Sequence, residues 1–178
     1  MYNLNMLTKE EVAYLKKIDP LRKAMVYPYD PNGKKLGEEI VTEIKDVFPN
    51  AEVKFMGSVS LEISGQKDID IYILADPDDF GDYLPGLEKM YGKIDKQGDY
   101  VKKRFIEWKF KRSGYDIEIY LTEPPGRQIK VYEILKSNKD LLNEYEQIKL
   151  KFSGKRYKDY QRAKYEFYNK ILGGDNKY

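Results

Sequence analysis

Two short motifs in the first half of the chain carry residue types that can bind phosphate and metal ions. Gly57-Ser58 is followed, after nine intervening residues, by Asp68-Ile69-Asp70. A glycine lets the backbone approach a phosphate closely, and the neighbouring serine adds a compact hydroxyl donor. The aspartates supply the carboxylate oxygens that hard divalent cations prefer. The two motifs together predict metal-dependent chemistry on a nucleotide.

The second motif begins a segment that alternates like a β-strand. Its isoleucines, Ile69, Ile71 and Ile73, are expected on one face, and Asp68 and Asp70 on the other. Same-face neighbours on a strand lie about 6.5 Å apart, where two carboxylates repel by about 2.5 kcal/mol at an effective dielectric constant near 20. A bound divalent cation would relieve that repulsion.

The composition narrows the chemistry further. The chain has 178 residues and contains neither cysteine nor histidine. Disulfides, thiolate nucleophiles, Ser-His-Asp triads and Cys/His zinc sites are therefore excluded. A metal ion must be held by oxygen ligands, which favours Mg²⁺ or Mn²⁺.

Periodic segments around the motifs predict the elements that must position them. A capping box at Thr8 and Glu11 predicts a short first helix. Pro28 to Gly33 is expected to form a turn, and the apolar spacing from Leu36 to Phe48 predicts a long helix after it. A short strand around Val53 and Phe55 should end at Gly57.

A second acidic pair lies on a later predicted strand. Val101 to Lys111 alternates with its apolar residues on one face, and Tyr115 to Leu121 should follow it across a tight turn as a hairpin. In the second strand of this hairpin Asp116 and Glu118 share a face. The sequence thus predicts carboxylates on two strands.

The rest of the chain is predicted to be helical. A helix is predicted near Leu87 to Tyr91, before the hairpin. Three further segments with apolar stripes follow Gly126, and the last of them ends at Gly173-Gly174. We therefore expect an α+β (or α/β) fold with a small mixed sheet flanked by helices and a C-terminal helical part. The predicted organisation is a single domain over 1–178, with an N-terminal helical segment (1–27), a catalytic sheet core (28–126) and the helical part (127–172).

The charge of the C-terminal part and the hydropathy of the whole chain indicate which partners and which location to expect. From Arg127 onward there are 13 Lys and Arg against 7 Asp and Glu, which suits either a polyanionic partner or a solvated helical face. The tyrosines from Tyr157 to Tyr168 are interpreted as packing rather than as base-stacking residues. No apolar run is long enough to cross a membrane and no signal peptide is recognised, so we expect a soluble cytoplasmic protein without a membrane partner.

The combined pattern is typical of phosphoryl or nucleotidyl transfer. Such reactions need the triphosphate charge neutralised and the attacking and leaving oxygens held in line. Two cations about 3.5 to 4 Å apart can do both when carboxylates converge from more than one strand. The candidate ligands are Asp68, Asp70, Asp116 and Glu118, with Gly57 and Ser58 as the phosphate-binding pair.

These residues resemble the signature of the DNA polymerase beta-type nucleotidyltransferase superfamily. Within it the chain looks most like the GrpB-like family, through Pro28-Tyr29-Asp30-Pro31, the 57–71 stretch, Val131 to Lys136, and a tail pattern of Tyr145, Lys149, Tyr160, Lys164 and Phe167. That family usually has one aspartate in the first strand and His-x-His where this chain has Asp116-Ile117-Glu118. The resemblance implies a nucleotidyltransferase fold, with Asp68, Asp70 and Glu118 as catalytic residues.

The third ligand is Glu118 or Asp116, and Glu118 is favoured because its position resembles the third motif of the superfamily. Both acids could instead be edge-strand charges that prevent aggregation. Four cationic residues near the motifs could bind phosphate or an acceptor, although ordinary surface charge explains them as well: Lys67, Lys102, Lys103 and Arg104.

The sequence therefore predicts a metal-dependent nucleotidyltransferase. It would move a nucleoside monophosphate from NTP to the hydroxyl of an unknown acceptor, for which RNA and protein are both candidates. The alternative is a non-catalytic nucleotide- or RNA-binding module with the same fold. A partner-binding protein is a third hypothesis, supported by the basic tail alone. Base preference and oligomeric state are left open.

Overall fold

The computed structural model describes residues 7–100 and 103–173. For residues 96–100 and 103 it describes the backbone only. The chain divides into two compact units. The sheet unit comprises residues 29–63 and 67–125. The helical unit comprises residues 64–66 and the described parts of 1–28 and 126–178. The single-domain organisation stays a prediction.

The sheet unit contains a mixed five-stranded sheet in the described residues, with strand order β1-β2-β5-β4-β3. Strands β2 and β5 are parallel, and every other neighbouring pair is antiparallel. The strands are β1 (Glu52–Met56), β2 (Asp68–Leu74), β3 (Lys96–Tyr100), β4 (Lys103–Arg112) and β5 (Tyr115–Thr122). This sheet and the surrounding helices confirm the predicted α+β class.

One face of the sheet is apolar and forms the core of the unit. Ile69, Ile71 and Ile73 of β2 are fully buried there, as the alternation predicts. Helices α2 (Pro31–Val47) and α4 (Phe80–Tyr91) contribute side chains to the same core, among them Ile40 and Leu87. The polar residues of the strands are consequently left on the opposite face.

Helix α2 begins earlier than predicted. Asp30 is its N-cap, accepting a hydrogen bond from the Asn32 backbone N–H at 3.0 Å, and Pro31 occupies the first helical position. The prediction that the turn extends to Gly33 was wrong, because proline is favourable in the first turn of a helix, where its missing N–H is not needed. Helix α4 is likewise longer than predicted and follows a 3-10 turn (Pro77–Asp79).

The hairpin formed by β4 and β5 confirms the prediction for this region. Arg112 pairs with Tyr115 across a two-residue turn in which Ser113 and Gly114 both have positive φ, 53° and 81°. Strand β3 was not predicted, because its sequence Lys-Gln-Gly-Asp-Tyr lacks apolar alternation. Val101 and Lys102, which the prediction placed in or near this hairpin, lie outside the described residues.

The helical unit contains four helices in the described residues: α1 (Lys9–Lys17), α5 (Gly126–Ser137), α6 (Lys139–Phe152) and α7 (Tyr157–Ile171). The predicted capping box of α1 is present, with Thr8 and Glu11 bonded reciprocally. Tyr157 and Tyr160 are buried, which agrees with a packing role. Helix α7 is followed by Gly173 with φ of 81°, whereas Gly174 lies outside the described residues. Across the described chain, no helix combines the length and apolar character needed to span a membrane.

Candidate active site

The pairing of β2 with β5 brings the two predicted acidic pairs side by side. Asp68 is in register with Asp116, and Asp70 with Glu118. Residues in register on neighbouring strands point to the same face, and the strands are about 4.8 Å apart. The four acids therefore occupy one patch on the polar face of the sheet, which we call the acidic patch.

Gly57 lies against this patch because β1 pairs with β2. Met56, the last residue of β1, is in register with Asp70, so the chain turns at Gly57 beside the Asp70 carboxylate. A Cβ at position 57 would overlap Asp70 Oδ2 and lie 3.3 Å from its Cγ. The φ of Gly57 is +82°, in the left-handed region that favours glycine. The positive φ and the nearby Asp70 carboxylate both explain why this position is occupied by glycine.

Ser58 lies in a single helical turn, α3 (Gly57–Ser60), which directly follows the end of β1. The turn is closed by a hydrogen bond from the Leu61 N–H to the Gly57 carbonyl at 3.1 Å. The Ser58 residue is buried, and its carbonyl accepts a hydrogen bond from the Ile63 N–H at 3.1 Å. The Gly-Ser corner is thus a compact turn whose backbone is held by local hydrogen bonds.

The Glu118 carboxylate is bound by two side chains of the sheet itself. Its Oε1 forms an ion pair with Lys109 Nζ, and the Tyr120 hydroxyl donates a hydrogen bond to its Oε2 at 2.6 Å. Tyr120 also stacks on Tyr72, with ring centroids 4.9 Å apart. Burial first, and then the negative charge of Glu118, raise the pKa of Tyr120 far above its ordinary value, so the hydroxyl remains a donor. Both Glu118 oxygens are engaged.

Lys109 projects from β4 into the acidic patch. It is in register with Glu118 and lies 3.9 Å from Glu107 Oε1 in addition to its ion pair. Desolvation lowers the pKa of Lys109, but the contact with Glu118 and the charges of Glu107 and Asp70 outweigh it, so the net shift is upward. Sequence reasoning placed Lys109 on the polar face and assigned it no role, because its partner is fixed by strand pairing.

Asp116 has a weaker, more exposed lysine partner. Lys111 Nζ lies 2.7 Å from Asp116 Oδ1, and the two side chains are 77% and 47% exposed. The corresponding values for Lys109 and Glu118 are 50% and 18%. Both β5 acids therefore face β4 lysines, but solvent screens the pair of Lys111 much more strongly.

The residues of the patch fit a divalent cation in part. The oxygen donors of Asp68 and Asp70 have the right chemistry, and both residues are half-buried. Within residues 7–100 and 103–173, however, no three acidic side chains are arranged to hold a metal ion. Glu118 is instead engaged by Lys109 and Tyr120. The set of four ligands stays a prediction.

Of the other predicted cationic residues, Lys67 directly precedes Asp68 of the patch, whereas Arg104 lies at the opposite end of β4, next to Glu123. Lys67 has a positive φ of 62°, and its carbonyl accepts a hydrogen bond from the Asp116 N–H at 3.0 Å. Arg104 is exposed, and its N–H donates to Glu123 Oε2 at 2.6 Å. Lys102 and the side chain of Lys103 are among the parts not described. Phosphate binding by these residues stays a prediction.

Residues 23–173 match the protein-family model described as GrpB protein. The chain belongs to the GrpB family. This match spans most of the chain and includes both acidic strands, the Gly-Ser corner and the three C-terminal helices. The resemblance inferred from the sequence is thereby confirmed. No protein of curated function matches this GrpB chain.

Several solved structures are similar to this GrpB protein at low sequence identity. The Cid1 poly(U) polymerase with magnesium and 3′-dATP bound has a TM-score of 0.49 and 14% identity, covering 79% of this chain and 43% of its own. GLD-2 in complex with RNP-8 has a TM-score of 0.44 and 16% identity, covering 81% and 57%. The chain thus spans less than two thirds of either protein.

Proposed function

We propose that this GrpB protein is a metal-dependent nucleotidyltransferase that moves a nucleoside monophosphate from NTP to a hydroxyl acceptor. The observation that carries the proposal is the meeting of three strand segments at one place. The parallel register puts Asp70 beside Glu118, and the end of β1 puts Gly57 against the Asp70 carboxylate. The motif resemblance to the nucleotidyltransferase superfamily supports the same assignment.

Asp68 and Asp70 are the residues proposed to hold Mg²⁺ or Mn²⁺, with Asp116 and Glu118 as further candidates. A divalent cation bound there would neutralise charge on the triphosphate. Gly57 and Ser58 are proposed to receive the phosphates, because the chain turns at this glycine directly beside the Asp70 carboxylate, where the cation would be held. Burial of the neighbouring isoleucines holds β2 in place, so the two aspartates are fixed relative to this corner.

The acceptor is proposed to be RNA or protein, and the proposal includes no membrane partner and a cytoplasmic location. Each acceptor class offers a hydroxyl that can attack the α-phosphate while pyrophosphate leaves. The balanced reaction forms one phosphoester bond, breaks the bond between the α- and β-phosphates, and releases the acceptor proton to solvent or to a carboxylate. No redox partner is required.

A labelling experiment tests the proposal. The protein is incubated with each α-labelled NTP, Mg²⁺ or Mn²⁺, and separate RNA and protein fractions of a cell extract, and transfer of label is measured. We expect Asp70→Asn to lower transfer by at least about 100-fold, because this change removes a charged ligand while keeping the side-chain shape. The matched control is Asp46→Asn, which alters an exposed acid on α2 and should leave transfer unchanged.

Equal transfer by wild type and Asp70→Asn would contradict the mechanism. Absence of transfer by wild type into either fraction, together with nucleotide binding, would favour the alternative, a non-catalytic nucleotide- or RNA-binding module. One observation favours that alternative: in the described chain no three acidic side chains are placed to hold a metal ion. Equilibrium binding of NTP with and without Mg²⁺ distinguishes the enzyme from the binding module, because the module would bind NTP equally well without the metal.

A further inference from the structure

The polar face of the sheet carries its own cation at the place where the third carboxylate lies. Lys109 Nζ is paired with Glu118 Oε1 and lies 3.9 Å from Glu107 Oε1. The Tyr120 hydroxyl occupies the other Glu118 oxygen at 2.6 Å. A metal ion that binds Glu118 must compete with these two groups, because each oxygen already has a partner and the Lys109 ammonium repels a second cation at the same carboxylate.

We propose that Lys109 is a resident counter-ion that holds Glu118 out of the metal-binding set, so that the free protein binds one divalent cation, on Asp68 and Asp70. The proposal rests on the proposed function, because it concerns the same metal site. It adds a residue that sets the number of cations and that the resemblance to known families does not specify. Lys109 is a positioning residue, acting through Glu118.

The electrostatics of the patch agree with this role. The ammonium of Lys109 neutralises part of the acidic charge that would otherwise attract a second dication to the same face. Glu118 is only 18% exposed, so water screens its ion pair weakly. The Lys109 side chain is half-exposed, so a methionine of similar length can replace it without creating a cavity in the core.

Strand β4 offers a matched control two residues away. Lys111 also pairs with an acid of the patch, Asp116, but this pair is largely in solvent. Removing the charge of Lys111 changes the net charge by the same amount as removing that of Lys109. A difference between the two variants therefore reports the specific pairing with Glu118 and not the overall charge.

The test is a Mn²⁺ titration without nucleotide, counting bound ions from the electron paramagnetic resonance signal of free Mn²⁺. Wild type is expected to bind one ion per chain tightly and a second ion only weakly. Lys109→Met should bind a second ion about 10- to 100-fold more tightly than wild type does, the range over which neighbours of metal ligands generally act. Lys111→Met should match wild type within about twofold. The double variant Lys109→Met/Glu118→Gln should bind the second ion no more tightly than wild type does.

The proposal is overturned if Lys109→Met binds Mn²⁺ as wild type does, if Lys111→Met gives an equal gain, or if the gain survives Glu118→Gln. Circular dichroism and thermal unfolding of each variant establish that it is folded, and Lys109→Gln repeats the test with a polar side chain. Failure of the proposed function has a different signature. In that case Asp70→Asn would still bind the first Mn²⁺ ion, whether or not Lys109→Met binds a second ion more tightly than wild type.

Discussion

Gly57 shows how one residue can be required by both backbone conformation and its neighbour. Its φ of +82° is unfavourable for residues with a Cβ, and a Cβ would overlap the Asp70 carboxylate. The glycine in the Gly-Ser motif was assigned from the sequence to close phosphate approach. The structure adds that it also makes room for Asp70, which no local pattern shows, because the contact joins residues on two strands.

Replacing Gly57 with alanine should therefore cost both stability and metal binding. We expect Gly57→Ala to lower the free energy of unfolding by about 1–3 kcal/mol, from backbone strain and displacement of Asp70. Urea denaturation followed by tryptophan fluorescence measures this loss, and Mn²⁺ titration measures binding. The control is Gly81→Ala, where a Cβ would meet nothing within 4 Å and stability should stay the same or rise by about 0.5 kcal/mol. Equal stability of Gly57→Ala and wild type would contradict the assignment.

At the scale of elements, helix α2 is joined to β5 at its first turn. Asp30, the N-cap of α2, accepts hydrogen bonds from the Asn32 N–H and from the Tyr115 hydroxyl. The bond from Tyr115, followed by that from Asn32, lowers the pKa of Asp30 below its ordinary value. Burial, and then the hydrogen bond to Asp30 and the charge of Asp30, raise the pKa of Tyr115 to about 12, so the hydroxyl is protonated at neutral pH.

This contact predicts an acid-sensitive part of the stability. Because the pKa of Asp30 is lower in the folded than in the unfolded protein, its contribution is present above the unfolded pKa, near 3.9, and is lost as the pH falls through the folded value. Asp30→Asn keeps a capping side chain but removes the charge. We expect wild type to be the more stable at pH 7 and the difference to shrink below about pH 4. Urea denaturation across this range checks it, and a difference independent of pH would contradict it.

At the scale of the whole molecule, the helical unit is closed by residues from both ends of the chain. The buried Glu11 of α1 accepts hydrogen bonds from Arg127 Nη2 at 2.6 Å and from Asn169 Nδ2 at 3.0 Å. Arg127 Nη2 also donates to Asn169 Oδ1 at 2.7 Å. Three helices, α1, α5 and α7, are thereby joined around one carboxylate. The sequence predicts the capping role of Glu11, but its partners more than 100 residues away are decided by packing.

Removing Arg127 should leave a buried carboxylate without its cation. We expect Arg127→Met to lower the free energy of unfolding by about 3 kcal/mol or more. The double variant Glu11→Gln/Arg127→Met should recover part of the loss, because it no longer buries a charge and glutamine can still complete the capping box. Arg162→Met, at an exposed position on α7, should change stability by less than about 0.5 kcal/mol. Denaturation of the wild type and the three variants checks this, and an Arg127→Met loss no larger than that of Arg162→Met would contradict it.

The sequence by itself determined which residues share a face. Alternation in β2 and β5 put Asp68 and Asp70 on one side of their strand and the isoleucines on the other, because side chains alternate with a period of two residues whatever the neighbours are. The same local rule predicted the hairpin of β4 and β5. It could not predict β3, whose residues do not alternate.

Only the tertiary structure decided which faces meet. The parallel pairing of β2 with β5 joins residues that are 48 positions apart in sequence, and it is this pairing that sets Asp70 beside Glu118. The pairing of β4 with β5 then places Lys109 beside Glu118 and Lys111 beside Asp116, and each lysine forms an ion pair with its neighbour. Strand register depends on the packing of the whole apolar face, which no local pattern encodes. The acids were therefore predictable, and the lysine that competes for one of them was not.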